Sequence, residues 1–284
     1  MRVALAQISS YLGDLKRNIE KHREIIESAI SKKADIIVFP ELSLTGYLLQ
    51  DLVQEVAINR ENFKILDEIK SLSKEISIVA GYVEEKEKGI YYNSASFFHK
   101  GEILHTHRKL YLPTFGMFDE KKFFTEGKEL KAFETPFGKT GLLICRDFMH
   151  ISTSYLYYLQ NVDFIIAISA SPARGATEAD HFYVSENWEL MGKFVSRFFS
   201  TFTIYVGKVG FEDGLGFVGG SFVYDPTGNL LFLAPYLEEV IEFVELDPRE
   251  VGRARAKGHF RQEELDEIIF LEMERIVKRI ENKS

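Results

Sequence analysis

The chain has 284 residues, with 35 Lys and Arg against 43 Asp and Glu, a formal net charge of −8, one cysteine and one tryptophan. Apolar residues make up 45% and charged residues 27%, the profile of a globular protein rather than a disordered one. A single cysteine excludes an intramolecular disulfide and any zinc site that needs two thiolates, and the acidic balance argues against a nucleic-acid or anionic-membrane partner.

Taken in order, short β-rich runs alternate with longer amphipathic stretches. Residues 3–8 predict a buried strand; the run is too short for a signal-peptide core, and no stretch approaches the ~18 apolar residues of a spanning helix. With the lone cysteine fitting a reducing compartment, a cytoplasmic protein is expected. Residues 15–31 predict a helix, with Ile19, Ile25, Ile26 and Ile30 spaced for one face. A strand at 35–39 is stopped by Pro40, and a helix is expected over 59–74. Strands follow at 76–82 and 93–99, the second turning at Lys100-Gly101. Residues 110–134 are irregular and rich in aromatics (Tyr111, Phe115, Phe118, Phe123, Phe124). Such a loop is functional, or its aromatics simply plug it onto the body. A strand at 141–145 ends on the cysteine. A helix at 151–160, a strand at 164–169, a helix at 180–199 and a strand at 203–209 come next. Residues 221–224 and 229–233 form a hairpin around Asp225-Pro226-Thr227-Gly228, and 239–246 is a strand. Residues 263–279 predict a charged amphipathic helix, either packed on the body with a solvated face or making a dimer contact. Early alternation of helix and strand with a late hairpin predicts an α/β protein with mixed sheets. No linker interrupts it, so a single domain over 1–284 is expected.

Three strand ends carry chemistry. Cys145 follows Leu142-Leu143-Ile144, Glu41 follows Val38-Phe39-Pro40, and Lys109 opens the aromatic loop. A nucleophile at a strand end sits on a rigid element facing a cleft, although a free cysteine more often behaves as a small buried hydrophobe. Glu41 is either a helix-start carboxylate or a placed base. None of the seven histidines lies in a motif typical of cysteine–histidine proteases. His22 reads as a polar-face residue, and His105 and His107 lack a third metal ligand with clear spacing. No metal and no cofactor are expected.

The blocks Phe39-Pro40-Glu41, Arg108-Lys109-Leu110-Tyr111-Leu112-Pro113 and Leu143-Ile144-Cys145-Arg146-Asp147 together resemble the nitrilase, or carbon–nitrogen hydrolase, superfamily. So do Thr45-Gly46-Tyr47, Phe115-Gly116-Met117-Phe118-Asp119-Glu120, Ser169-Ala170-Ser171-Pro172 and Gly219-Gly220-Ser221. The resemblance runs from Met1 to about Arg255. It implies a four-layer α-β-β-α sandwich, usually dimerised or of higher order. It implies Cys145 as nucleophile, Glu41 as general base, and Lys109 with the backbone N–H of Arg146 as oxyanion donors. Glu120 corresponds to a second glutamate that positions the substrate or the lysine. Tyr47, Phe115, Arg146 and Ser171 are the further substrate-binding candidates.

Within that superfamily, residues 40–47, 112–120 and 207–214 are similar to the glutaminase domain of glutamine-dependent NAD synthetases. Arg146 stands where that branch usually has Glu. Ala173-Arg174-Gly175-Ala176 and Asp180 replace its Gly-Lys and later Arg. The chain ends at Ser284 without a phosphate-binding glycine loop, so the synthetase domain of that branch is not expected. The leading expectation is an amidase acting on a small linear carboxamide, such as an N-carbamoyl or ω-amide compound, through a thioester. The alternatives are a glutaminase subunit feeding a separate synthetase chain, or a catalytically silent binding member. Transfer of the acyl group to an amine instead of water also stays open.

Overall fold

Val3 and Leu5 pack to one side of the first strand, while Ala4 and Ala6 pack to the other. Strand side chains point alternately to opposite faces, and with both faces apolar the strand must be covered twice. The computed structural model describes residues 1–59, 64–173 and 182–281, and its strands form two six-stranded sheets and a small ribbon. In chain order they are β1 (Arg2–Gln7), β2 (Ile36–Val38), β3 (Ser77–Glu87), β4 (Ile90–His99), β5 (Glu102–Arg108), β6 (Phe133–Thr135) and β7 (Gly138–Ile144). There follow β8 (Phe164–Ser169), β9 (Phe202–Gly207), β10 (Val209–Glu212), β11 (Leu215–Val218), β12 (Phe222–Tyr224), β13 (Leu230–Leu233) and β14 (Val240–Glu245).

One sheet has the order β14-β1-β2-β3-β4-β5 and the other β13-β12-β9-β8-β7-β6. Both are mixed: β1-β2-β3 and β7-β8-β9 are parallel, and the flanking pairs are antiparallel. The sheets face each other across Leu5, Val38, Val79 and Phe97 on one side and Leu142, Ile144, Ile166 and Ile204 on the other. The outer face of the first sheet packs on Ile19, Ile26, Leu66 and Ile69. Those residues come from the helices Leu15–Ser31 and Lys64–Leu72. The outer face of the second packs on Phe148, Tyr157, Trp188 and Val195, carried by helices that include Ile151–Leu159 and Tyr183–Phe199. This is the expected four-layer α-β-β-α sandwich. Each large apolar side chain fully buried in these layers stabilises it by roughly 1.5–3 kcal/mol. No helix among the described residues is long and apolar enough to cross a membrane.

The helix over 15–31 is found as read, begun by the Asp14 carboxylate, which accepts the Arg17 N–H at 3.0 Å, an N-cap bond. Of the helix expected over 59–74, the described part is Lys64–Leu72; Ser73 and Lys74 lie past its end, and Ile58, just before the expected start, pairs with Glu84 in a strand-like bridge. Residues 60–63 lie outside the described residues, as do Asp180 and His181 of the helix expected from 180. Strand-forming residues after 203 divide, with β9 ending at Gly207 and a separate β10–β11 hairpin following. His22 is not on a polar face. It is buried and stacks on Phe39, and its two ring nitrogens lie 2.7 Å from the Asn18 carbonyl and 3.0 Å from Ser43 Oγ. The last helix, Asp266–Glu281, buries none of its residues, which departs from the reading that packs it on the body.

Candidate active site

The parallel strands bring the site together. β2 and β3 run the same way, and two antiparallel steps through β4 return β5 to that direction. Glu41 after β2 and Lys109 after β5 therefore emerge at one end of the first sheet. Cys145 and Ala170 follow the parallel strands β7 and β8 of the second. The two ends meet: Glu41 Oε2 accepts the Ala170 N–H at 2.7 Å. Its other oxygen accepts from Asn93 Nδ2 at 2.8 Å and from Lys109 Nζ at 2.7 Å. All three partners are donors, and Glu41 and Lys109 are both fully buried.

Two close backbone approaches set these side chains. A Cβ on Gly81 of β3 would meet the Leu42 nitrogen at 2.5 Å, so only glycine lets the segment after Pro40 cross the strand. Leu42 itself holds a φ of +49°, a conformation a branched side chain rarely adopts. A Cβ on Gly127 would meet the Arg108 carbonyl oxygen at 2.1 Å. That glycine donates its N–H to the Lys109 carbonyl at 2.8 Å and brings the aromatic loop back to its start.

Lys109 Nζ also donates to Glu120 Oε1 at 2.8 Å, and the Tyr47 hydroxyl donates to the same oxygen at 2.7 Å. Burial alone would lower the pKa of Lys109, but Glu120 and Glu41 overturn that and hold it well above its ordinary value. Burial, opposed by Lys109 and reinforced by Glu41, raises Glu120 to about 7. Its second oxygen is buried and has no partner among the described residues. A cavity of about 270 Å³ lies against Tyr47 and Glu120, walled by Phe118, Phe123 and Phe124. Tyr47 is held from behind: Glu212 Oε2 accepts the N–H groups of Tyr47 and Leu48, both at 2.9 Å, and Glu212 is paired with the buried Lys208 at 2.8 Å.

Cys145 has φ +46° and ψ −106°, a strained conformation for a residue with a Cβ, costing about 1–3 kcal/mol. Its N–H bonds to the Ile168 carbonyl at 2.7 Å, and its carbonyl accepts the Phe148 N–H at 2.9 Å. The turn is clamped by Asp147, whose Oδ1 accepts the N–H groups of Leu110 and Tyr111 at 3.0 and 2.9 Å. The other oxygen lies 2.8 Å from His107 Nε2. The residue two places after the cysteine thus fixes the start of the lysine loop. Burial pushes the Cys145 thiol up, Glu41 adds to the rise, and Lys109 and Ser169 oppose it without overturning it. At neutral pH the group is a thiol, so a nucleophilic attack needs a base to take the proton.

The structure thus joins Glu41, Lys109, Glu120 and Tyr47 by direct hydrogen bonds, and Glu41 and Lys109 act electrostatically on Cys145. Ser171 is buried, and its Oγ accepts the Trp188 indole N–H at 3.1 Å. Phe115 is 53% exposed and lies beneath the Arg146 guanidinium, 5.0 Å from ring centroid to the guanidinium carbon. Arg174 lies outside the described residues. Among the described residues, no three His, Cys, Asp or Glu side chains are grouped to hold a metal ion. His105 stacks on Phe133 instead. Sequence reading missed Asn93, Asp147 with His107, and Glu212 with Lys208. The last pair stands within the 207–214 block, where the residues were legible but their reach across to Tyr47 was not.

A family model described as carbon–nitrogen hydrolase matches residues 2–256. The chain is 33% identical over 246 residues to a glutamine-dependent NAD(+) synthetase of Acinetobacter baylyi, covering 87% of this chain and 44% of that protein. It is 29% identical over 260 residues to a probable nitrilase of Schizosaccharomyces pombe, covering 86% of this chain and 89% of that one. A crystal structure of a carbon–nitrogen hydrolase from Helicobacter pylori superposes with a TM-score of 0.85 at 25% identity, over 94% of this chain and 96% of that one. The chain spans less than half the length of the NAD(+) synthetase it matches.

Proposed function

Because the chain belongs to the carbon–nitrogen hydrolase family, we propose that its Glu41, Lys109 and Cys145 hydrolyse a small linear carboxamide through a thioester on Cys145. The observation that carries this reading is the buried ammonium of Lys109 bound by both Glu41 and Glu120, at the strand ends where the strained Cys145 stands. As Sγ attacks the amide carbon, its proton passes to Glu41 and the carbonyl oxygen takes the negative charge. Lys109 Nζ and the Arg146 N–H stabilise that oxyanion; removing one such donor costs roughly 100- to 1,000-fold in rate. Glu41 then returns the proton to the leaving nitrogen, the C–N bond breaks, and ammonia departs. Water, deprotonated by Glu41, attacks the thioester carbon, and the acid and the free thiol are released. The unpartnered Glu120 oxygen is the acceptor assigned to the amide N–H.

In this reading Cys145→Ala releases no ammonia from any amide. Intact mass spectrometry of the wild type during turnover records an acyl adduct on the single cysteine. Wild-type rates in Cys145→Ala would falsify the mechanism.

A second reading is favoured by the 33% identity to a glutamine-dependent NAD(+) synthetase: a glutaminase that passes ammonia to a separate synthetase chain. Ammonia release from glutamine, raised by co-purifying protein, would distinguish it. Either enzyme is proposed to work in the cytoplasm as a homodimer. The exposed apolar residues of Asp266–Glu281, including Ile268, Phe270 and Ile276, supply the surface for a second copy.

A further inference from the structure

Two lysines among the described residues are fully buried, Lys109 and Lys208, and the proposed reaction uses only the first. Lys208 Nζ lies 2.8 Å from Glu212 Oε1, donates to Ser10 Oγ at 2.7 Å and stands 5.5 Å from the centre of the Phe217 ring. Burial lowers its pKa, and Glu212 opposes that without overturning it. Replacing a buried ion pair by apolar side chains is often neutral or stabilising, so stability alone does not account for two charges at this place.

The pair shapes the segment behind the site. The other oxygen of Glu212 accepts the N–H groups of both Tyr47 and Leu48. These two donors converge where the chain bends at Gly46, whose φ is +89°. A Cβ on Gly46 would meet the Leu12 Cα at 2.9 Å, so the bend has no room to relax on that side. The Tyr47 ring then stands edge-on to Phe217, with centroids 5.7 Å apart. Glu212 thus fixes the backbone of Tyr47, and Phe217 its ring. The hydroxyl at the end of that ring donates to Glu120 Oε1, the oxygen that also accepts from Lys109 Nζ. From Lys208 through Glu212, Tyr47 and Glu120 to Lys109, each contact is 2.7 to 2.9 Å long.

We propose that Glu212, with its charge balanced by Lys208, is a positioning residue for the hydrolysis: it holds Tyr47 where the hydroxyl sets Glu120, and Glu120 sets the ammonium of Lys109. The proposal rests on the hydrolase reading above and extends it to two residues that no step of the reaction uses. Lys109, Glu41, Cys145 and the Tyr47 hydroxyl are the groups that act on or face Glu120. The hydroxyl favours the ionised carboxylate, so its displacement moves that ionisation to higher pH.

Kinetics of the full chain test this, with ammonia release from butyramide or glutamine, whichever the wild type hydrolyses faster. Glu212→Ala is expected to lower kcat/KM by roughly 10-fold, the lower end for a lost hydrogen bond to a charged group. Glu212→Gln, which keeps an accepting oxygen, should recover part. Glu212→Ala should also move the rise of kcat/KM through pH 7 to higher pH. In a Tyr47→Phe background the same substitution should cost no more than about 2-fold further, because the hydroxyl it acts through is gone. It should leave the pH profile where Tyr47→Phe put it. Losses that multiply in full, or a profile that Glu212→Ala does not move, overturn the proposal and leave the hydrolase reading standing. If Glu212→Ala does not fold, Glu212→Gln and Lys208→Met carry the same cycle. If the wild type hydrolyses no amide, the hydrolase reading falls on its own. Alkylation of the single cysteine by iodoacetamide, followed by intact mass against pH, then decides the positioning. Glu212→Ala and Tyr47→Phe should shift its pH dependence alike and the double variant no further; any other pattern overturns it.

Discussion

Glu120 sits where two opposite demands meet. Burial keeps its proton on, Lys109 takes it off, and the balance lies at about 7. An unperturbed carboxyl titrates near 4.5 in the unfolded chain. Below that value Glu120 is protonated in both states, and above about 7 it is ionised in both. Between the two the folded state holds the extra proton, so this residue's contribution to stability falls as pH rises through the window. Glu120→Gln should remove that slope. The difference in urea midpoint between wild type and variant is expected to move against the wild type from pH 5 to pH 8, and a constant difference would contradict the shift. Ionised Glu120 also orients Lys109, so kcat/KM should rise through pH 7 in the wild type and lose that limb in Glu120→Gln. At this scale much of the site was legible: Glu41 and Cys145 follow apolar strands closely, Lys109 follows a strand and opens the aromatic loop, and Glu120 lies in one of the family-like blocks. Asn93 and the Ala170 N–H were not, since one is a mid-strand polar residue and the other a backbone group. The Trp188 N–H that Ser171 accepts was not legible either, because the two residues stand 17 apart in the chain.

Carboxylates tie the elements around the site to one another, in addition to the backbone hydrogen bonds within them. Asp147 ties the turn after Cys145 to the start of the 110–127 loop through two backbone N–H groups. Asp147→Ala leaves those donors and His107 without their acceptor. Each buried donor so abandoned costs about 1–3 kcal/mol, and the loop that starts at Lys109 loses its anchor. Urea unfolding should record the loss, kcat should drop, and Asp147→Asn, which keeps one accepting oxygen, should regain part of both. A variant equal to wild type in both measurements would show that the clamp carries no weight. Element prediction succeeded where the pattern was strong, as in the periodic helix Leu15–Ser31 and the continuous apolar run Phe164–Ser169. It failed where tertiary pairing overrides the local pattern. Residues 203–209 were read as one strand, but β9 ends at Gly207, and Gly210, Gly214 and Gly216 obscure the β10–β11 hairpin in a pattern search.

At the scale of the whole molecule, the element pattern gave an α/β protein with mixed sheets and the family resemblance implied the two-sheet sandwich, but its outer surface was not legible. The helix Asp266–Glu281 leaves Phe270 68% exposed and Ile280 62% exposed. A helix of 16 residues gains little from its own hydrogen bonds in water, and in the homodimer proposed above these apolar residues are the ones that become covered. With the homodimer proposed above, Ile268→Asp combined with Ile276→Asp should shift sedimentation from dimer to monomer. It should also lower Tm in a way that depends on protein concentration in the wild type alone. An intact chain that sediments as a monomer would refute the dimer.

Glu41 draws two of its hydrogen bonds from the first sheet's side and one from Ala170 of the second. It is therefore a rivet through the sandwich as well as the proposed base. Sliding the sheets apart by even one ångström would strip a donor from it before any strand had melted. Residual activity after heating would then gauge the docking of the two halves, and inactivation should run ahead of the loss of secondary structure.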